Sequence, residues 1–273
     1  LSEEFVTLFE ASLQQIARVG AMYNEQNLLD LCHSQADKHI LKPFSSSQEK
    51  DAKLFLFHPA AGGCECFAKF AKVFENDFDC IGVDSFNILN PLHMTDSLIR
   101  LAQIYADEIY PRVMHVKEPV HLCGWSLGGR IALQTASMLE DKGVEKIFIW
   151  MLDTLDNKTV LPSGAGGIPE TRHSKCEHTI AHTTLQPKVS DKNSVVTLFK
   201  AMDTCVEMIS IGLTQEVLDE FPDNGMQQHV EGKLSVVNLD RVHHHNIISD
   251  PSATSRILEA IKLAHFQSLQ VNK

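Results

Sequence analysis

The sequence lacks any apolar run near the roughly 18 residues that a membrane span requires. Its N-terminus also lacks the basic-then-apolar order of a signal peptide. Clusters of Lys and Arg are absent as well, and the 24 basic residues are outnumbered by 35 acidic ones, for a net charge of −11. This balance argues against nucleic acid or a membrane as a partner.

Paired-cysteine and nucleotide-binding motifs are missing too. The seven cysteines are an odd number without Cys-x-x-Cys spacing, and Cys80 and Cys123 lie in apolar strand patterns, where a thiol acts as a small hydrophobe. A reducing cytoplasmic location is the resulting expectation. Neither Gly-x-Gly-x-x-Gly nor a phosphate-binding loop ending in Lys-Ser/Thr is present, so a nucleotide cofactor is not expected.

The 273 residues suit one α/β domain with an extension. The first 30 or so residues have helical periodicity, and residues 42–52 are polar with a proline and a serine run, as in a linker. We predict a helical extension and linker over residues 1–52 and the main domain over 53–273. The absence of an initial methionine favours a domain from a longer chain, although processing has the same effect.

From residue 53 onward, apolar strand patterns alternate with helix patterns. Such an order predicts a mostly parallel sheet with helices on both faces. The predicted strands are 54–57, 78–83, 120–123, 146–152, 195–199 and 234–239, and the predicted helices are 64–74, 96–110, 127–142, 206–221 and 252–266. Periodicity disappears after Asp153, and we predict a short lid over about 154–192.

The most informative stretch is Gly-Trp-Ser-Leu-Gly-Gly at residues 124–129, between a predicted strand and a predicted helix. In that context Gly-x-Ser-x-Gly is typical of the nucleophile elbow of α/β-hydrolases, which makes Ser126 a candidate nucleophile. The N–H of Leu127 is then one oxyanion donor, and the small-residue turn at 58–63 supplies the other. A glycine-rich turn without catalytic meaning is the plain alternative.

A serine nucleophile needs a histidine base and an acid, which follow it in chain order in this fold. Asp153 directly follows a predicted strand, and Asp203, which follows the next one, is the alternative acid. Three candidate bases, His243, His244 and His245, follow the last strand. Consecutive histidines are poorly arranged to bind one ion, and His173, Cys176, His178 and His182 match no standard spacing, so no metal is expected.

With these residues in place, the chain resembles the thioesterase domains that end nonribosomal peptide synthetases, and more distantly those of polyketide and fatty acid synthases. The resemblance rests on LFLFHPAAGG at 54–63, GWSLGG at 124–129, Leu-Asp-Thr at 152–154, and His-x-x-Ile-Ile starting at His244. It implies an α/β-hydrolase fold, with Asp153 as the acid, His244 as the base and Ala60 as the second oxyanion donor, Ala61 being the next choice.

The resemblance also implies a function. The expected enzyme is a serine thioesterase that moves an acyl or peptidyl chain from a carrier domain's phosphopantetheine onto Ser126 and releases it by hydrolysis or cyclisation, without a cofactor of its own. A stand-alone type II editing thioesterase or a hydrolase of other esters is the alternative. A non-catalytic binding module of the same fold is the alternative from another class.

Overall fold

The structure is a computed structural model that describes residues 39–44, 50–60, 62–161, 171–185 and 194–270. The predicted N-terminal helix lies outside these residues, as do parts of the predicted linker and lid.

A seven-stranded sheet forms the centre of the fold, in the order β1-β3-β2-β4-β5-β6-β7. β1 pairs antiparallel with β3, and every other pair is parallel. The strands are β1 (Leu41–Pro43), β2 (Lys53–Phe57), β3 (Asp79–Val83), β4 (Val120–Trp125), β5 (Ile147–Leu152), β6 (Ser194–Asp203) and β7 (Ser235–His243). The prediction of a mostly parallel sheet is confirmed.

Helices connect these strands and cover both faces of the sheet. They are α1 (Ala68–Phe74), α2 (Phe86–Leu89), α3 (Leu98–Val113), α4 (Leu127–Asp141), α5 (Asn157–Val160), α6 (Arg172–His182), α7 (Val206–Ser210), α8 (Gln215–Glu220) and α9 (Pro251–Gln270). Short 3₁₀ turns lie at Cys64–Phe67, Pro91–His93 and Gln227–His229. No helix in the described ranges is both long and apolar enough to span a membrane.

Two apolar cores lie on opposite faces of the sheet because successive strand residues point to opposite sides. Within β2, Phe55 and Phe57 join the core formed with α3 and α4, whereas Leu54 and Leu56 join the core formed with α1 and α9. All five β2 residues are buried. A strand buried on both faces must be apolar throughout, which is the pattern that the sequence shows.

Three differences from the predicted elements are the largest. Residues 41–43 form an antiparallel edge strand, so the sheet includes residues that precede position 53. The lid contains helix α6, which begins with a capping box in which Thr171 and Ser174 bond each other's backbone N–H. The single helix expected over 206–221 is two short helices, separated by a turn at Gly212, whose φ is +93°.

Candidate active site

Ser126 occupies a strained turn between β4 and α4. Its φ of 56° and ψ of −123° lie outside the regions that non-glycine residues normally adopt. The turn requires glycine on both sides, because a Cβ on Gly124 would collide with the Gly128 backbone and one on Gly128 with the Phe57 carbonyl. This is the geometry of a nucleophile elbow, which lifts a half-buried serine clear of the sheet.

The sheet register brings the candidate residues to one edge. Phe57 is paired with Gly124, and Trp125 with Leu152, so β2, β4 and β5 end side by side. The ladder then continues one residue further, since Ser126 N–H donates to Leu152 O over 3.0 Å and Asp153 N–H to Phe199 O over 2.8 Å. Ser126 and Asp153 therefore follow neighbouring strands at the carboxyl edge, where α/β proteins bind ligands.

Asp153 and His244 form the central contact of the site. Asp153 Oδ2 lies 2.8 Å from His244 Nδ1, and both residues are buried. The carboxylate can only accept, so Nδ1 carries the proton and Nε2 is left with a lone pair. That is the tautomer a general base needs.

Two further donors hold the Asp153 carboxylate in place. Its Oδ1 accepts from the Ala201 N–H over 3.1 Å and from the Asn224 side-chain amide over 3.2 Å. Asn224 also donates to the Thr154 carbonyl, and its φ of 53° is one that asparagine tolerates better than most residues. These contacts fix the carboxylate towards His244.

The base is also tied to the elbow strand. The Trp125 indole N–H donates to the His244 carbonyl over 3.0 Å, and the two rings have centroids 5.5 Å apart. Trp125 immediately precedes Ser126 in the chain. The tryptophan thus anchors the histidine loop to the strand that presents the nucleophile.

A buried ion pair links the nucleophile helix to the segment that follows the acid. Arg130, one turn beyond Ser126, is 1% exposed and donates to Asp156 Oδ1 over 2.8 Å, and it also bonds the Thr183 carbonyl. Burial alone raises the pKa of Asp156, but the nearby His229 ring, a hydrogen bond from Thr159 and the Arg130 charge lower it overall. The pair helps to keep Asp153 and Ser126 in fixed relative positions.

The candidate oxyanion donors lie in two adjacent turns, one at the start of α4 and one after β2. Leu127 begins α4, and the first N–H groups of a helix have no partner within it. Ala60 is exposed in the turn after β2, and this turn packs against the elbow, since a Cβ on Gly128 would also meet the His58 carbonyl. Ala61, the second choice for this role, lies outside the described residues.

The competing candidates are close to the Asp153–His244 pair in the fold, but none of Asp203, His243 and His245 makes the hydrogen bond recorded between Asp153 and His244. Asp203 is exposed at the end of β6, and its backbone pairs with that of His243. His243 is the last residue of β7 and His245 is exposed. The hydrogen bond to Asp153 is made by His244, the histidine that the family resemblance selects.

The four possible metal ligands of the lid do not converge. His173 is buried beside Glu177, with 3.5 Å between His173 Nε2 and Glu177 Oε1, whereas His178 and His182 are stacked, with ring centroids 4.1 Å apart. Across the part of the chain that the structure describes, the one group of three or more possible ligands is Cys205, Glu207 and His245. It borders the site but shares no residue with it.

Sequence reasoning missed Asn224 and the structural role of Trp125. Asn224 stands in Asp-Asn-Gly, residues 223–225, a sequence typical of a turn with positive φ. That signal predicts the backbone conformation, but nothing in it points to a carboxylate that precedes it by 71 positions. Trp125 lies within the GWSLGG motif, but no local signal identifies its partner, which is a backbone carbonyl distant in sequence.

Comparisons with known proteins indicate the family to which the chain is similar. Residues 52–166 match the thioesterase domain family. The chain is 32% identical over 129 residues to the dimodular nonribosomal peptide synthase of Bacillus subtilis (strain 168), a match covering 47% of this chain and 5% of that protein. This relative is thus far longer than the chain.

Solved structures show the same fold. The NocB thioesterase domain, crystallised as a covalent complex with a fluorophosphonate nocardicin G analog, superposes with a TM-score of 0.59 at 17% identity, covering 82% of this chain and 98% of NocB. The type II thioesterase BorB of the borrelidin cluster gives 0.57 at 14% identity, covering 81% and 96%. The chain therefore has the α/β-hydrolase fold of these thioesterase structures, and its residues 52–166 match the thioesterase domain family.

Proposed function

We propose that this chain is a serine thioesterase that accepts an acyl or peptidyl chain from the phosphopantetheine thioester of a carrier domain. The observation that carries the proposal is the Asp153–His244 hydrogen bond at the sheet edge that also carries a serine on a strained elbow. The similarity to a nonribosomal peptide synthase supports the carrier-bound substrate. Free thiols at all six described cysteines agree with a reducing, cytoplasmic setting.

In the first half-reaction, His244 Nε2 takes the Ser126 hydroxyl proton while Oγ bonds to the thioester carbonyl carbon. The N–H groups of Ala60 and Leu127 stabilise the negative oxygen of the tetrahedral intermediate. Collapse breaks the carbon–sulfur bond, and His244 returns its proton to the departing sulfur. The carrier leaves as a free thiol and the chain remains as an ester on Ser126.

In the second half-reaction, His244 takes a proton from the attacking group. Water gives a free acid, whereas an amine or hydroxyl of the bound chain gives a ring. The ester bond to Ser126 then breaks and His244 protonates the serine oxygen. Asp153 stays ionised throughout and stabilises the imidazolium in both halves.

The test is thioester cleavage by the purified chain, measured as thiol release from a carrier loaded with an acyl group. We expect Ser126→Ala to lower the rate by at least about a thousandfold. A serine-directed phosphonate should add its mass to the wild type but not to Ser126→Ala. A folded wild type that neither reacts with the phosphonate nor releases thiol would instead be a non-catalytic binding module.

A type II editing thioesterase is the second candidate, favoured by the likeness of the fold to BorB. The two roles differ in the preferred acyl group, because editing removes short, misloaded chains whereas a terminal thioesterase releases finished ones. Rates on carriers loaded with acetyl and with a peptidyl chain distinguish them. Faster cleavage of small oxygen esters than of either carrier thioester would favour a general ester hydrolase.

A further inference from the structure

A cysteine, a glutamate and a histidine meet beside the triad. Cys205 precedes α7, Glu207 lies in its first turn, and His245 follows the base, with ring centroids of His244 and His245 5.4 Å apart. One donor atom each from Cys205, Glu207 and His245 lies within 4.8 Å of the others. Glu207 and His245 are exposed and Cys205 is half-exposed, so an ion can reach all three.

These donors are the types that zinc-class ions prefer. Tetrahedral zinc bound by sulfur, nitrogen and oxygen places neighbouring donors about 3.5 Å apart, so closing the group needs only small rotations. A metal ion binds the thiolate form of a cysteine, so an ion held by this group takes the place of the Cys205 thiol proton. His243, two residues before His245, has a buried Nδ1 without a hydrogen-bond partner among the described residues.

We propose that Cys205, Glu207 and His245 form a binding site for a zinc-class divalent cation. The site is separate from the serine chemistry, and three protein ligands leave a fourth coordination position open. Binding releases the Cys205 thiol proton to the solvent.

Cobalt is a direct probe, because a thiolate ligand gives Co²⁺ a charge-transfer absorption band that histidine and carboxylate ligands do not. Titration of the metal-free wild type with Co²⁺ should give this band at one ion per chain, and Zn²⁺ should displace it. Cys205→Ser should abolish the band, and His245→Asn should weaken binding at least about tenfold. Cys66→Ser, at the other half-exposed described cysteine, is the control that keeps it. No band, or a band that survives Cys205→Ser, would overturn the proposal.

An independent feature concerns the oxyanion turn. The Phe86 N–H donates to the Tyr105 hydroxyl oxygen over 3.0 Å, and the Tyr105 hydroxyl lies 2.8 Å from His58 Nε2. His58 Nδ1 lies 2.9 Å from the Pro59 carbonyl oxygen. The carbonyl can only accept, so Nδ1 carries the proton and the Tyr105 hydroxyl donates to Nε2. Burial lowers the pKa of His58, which favours this neutral form.

The hydrogen bond from His58 to the Pro59 carbonyl also affects the orientation of the next N–H group, that of Ala60. In a trans peptide the carbonyl and the following N–H point in opposite directions, so fixing the Pro59 carbonyl towards His58 also fixes the Ala60 N–H away from it. Oxyanion donors must be held in place before the reaction to be effective. Because His58 is buried and fixes the Pro59–Ala60 peptide, it also fixes the direction of the Ala60 N–H.

We infer that His58, held by Tyr105, is a positioning residue for the Ala60 N–H in the oxyanion hole. The inference rests on the proposed thioesterase function. His58→Ala should lower kcat at least about tenfold with little change in KM, since the lost interaction belongs to the transition state. His58→Asn should restore most of kcat because its amide can reach the same carbonyl. Tyr105→Phe should have a smaller effect in the same direction.

His121→Ala is the matched control, since His121 is also fully buried with both ring nitrogens hydrogen-bonded, but lies away from the turn. Rates are measured below the melting temperature of every variant. An inactive wild type would refute the thioesterase function itself. An active wild type whose His58→Ala variant keeps kcat, or whose His58→Asn or His121→Ala variant loses as much as His58→Ala, would overturn the role of His58 alone.

Discussion

Two buried histidines, His244 and His121, show what converts an imidazole into a base. His121 lies on β4, the strand that leads to the elbow, and is fully buried; His244 is 7% exposed at the carboxyl edge. The partners of His121 are the indole N–H of Trp150 and the ring of His265, each 3.1 Å away. Burial, and to a lesser extent His265, lowers the pKa of His121 to about 3.

The two histidines differ in their hydrogen-bond partners and not in how deeply they are buried. His244 faces the Asp153 carboxylate, which stabilises the positive charge that a base acquires, whereas the hydrogen-bond partners of His121 are an indole and a second imidazole, neither of which carries a negative charge. A proton on His121 would be a buried charge without a partner. We therefore expect changes at His244 and its partners to affect chemistry, and changes at His121 to affect stability.

Asp153→Asn should have the largest effect, because it gives His244 a neutral partner like those of His121. We expect kcat to fall roughly 10⁴-fold, since the amide favours the wrong tautomer and no longer stabilises the imidazolium. The measurement is steady-state thiol release, with circular dichroism to show that the variant is folded. Asp203→Asn is the matched control and should retain nearly full activity; a loss there as large as in Asp153→Asn would reassign the acid.

His121→Phe should instead lower stability and leave kcat nearly unchanged. The new ring can stack as His121 does on Phe148, but it leaves the Trp150 N–H and the His265 ring without their partner. We expect the free energy of unfolding to fall by about 2–4 kcal/mol, with kcat within a factor of about two. Urea unfolding at pH 7 measures the free energy of unfolding, and thiol release measures kcat. A variant of normal stability and low kcat would contradict the distinction between the two histidines.

The same comparison predicts a pH dependence of stability. Because the folded pKa of His121 is about 3 and the ordinary value is 6.5, the unfolded chain binds a proton below about pH 6.5 that the folded chain does not. As pH falls from 6.5 towards 3, His121 therefore lowers the free energy of unfolding by about 1.4 kcal/mol per pH unit. Burial also lowers the pKa of His265, which adds in the same direction.

The check is urea unfolding of wild type and His121→Phe between pH 7 and pH 4.5. In the variant the free energy of unfolding should fall less steeply with decreasing pH. The difference in slope should be at most the amount that one histidine contributes. Parallel curves would mean that His121 is protonated to the same extent in the folded and unfolded chains.

The local sequence was sufficient to predict most of the fold, because strands buried on both faces are apolar throughout. Chain order reduced the site to Ser126, two candidate acids and three candidate histidines, and the family resemblance selected Asp153 and His244. The edge strand at Leu41–Pro43 was missed because three residues have no periodicity to detect, and one of them is a proline.

Side-chain contacts over long sequence separations were not predictable. The capping box of α6 is local, but it has Ser174 where the usual pattern has Glu or Gln. Asn224 bonds a carboxylate across 71 positions, and a single sequence contains no record of that contact. Helix α6 of the lid and the hydrogen bond from Asn224 to the Asp153 carboxylate are therefore visible only in the structure.

Asn224→Gly tests the smallest of these effects, the precision with which the Asp153 carboxylate is held. The variant removes one of the donors to Oδ1, and glycine adopts the φ of 53° without strain. We expect kcat to fall about tenfold, as for other residues that orient a functional side chain. Asn224→Ala should lose a similar factor in kcat but more stability, because alanine is strained at this φ. Measured melting temperatures separate the two causes: if Asn224→Gly keeps full kcat while Asn224→Ala loses it, the asparagine serves the backbone turn and not the triad.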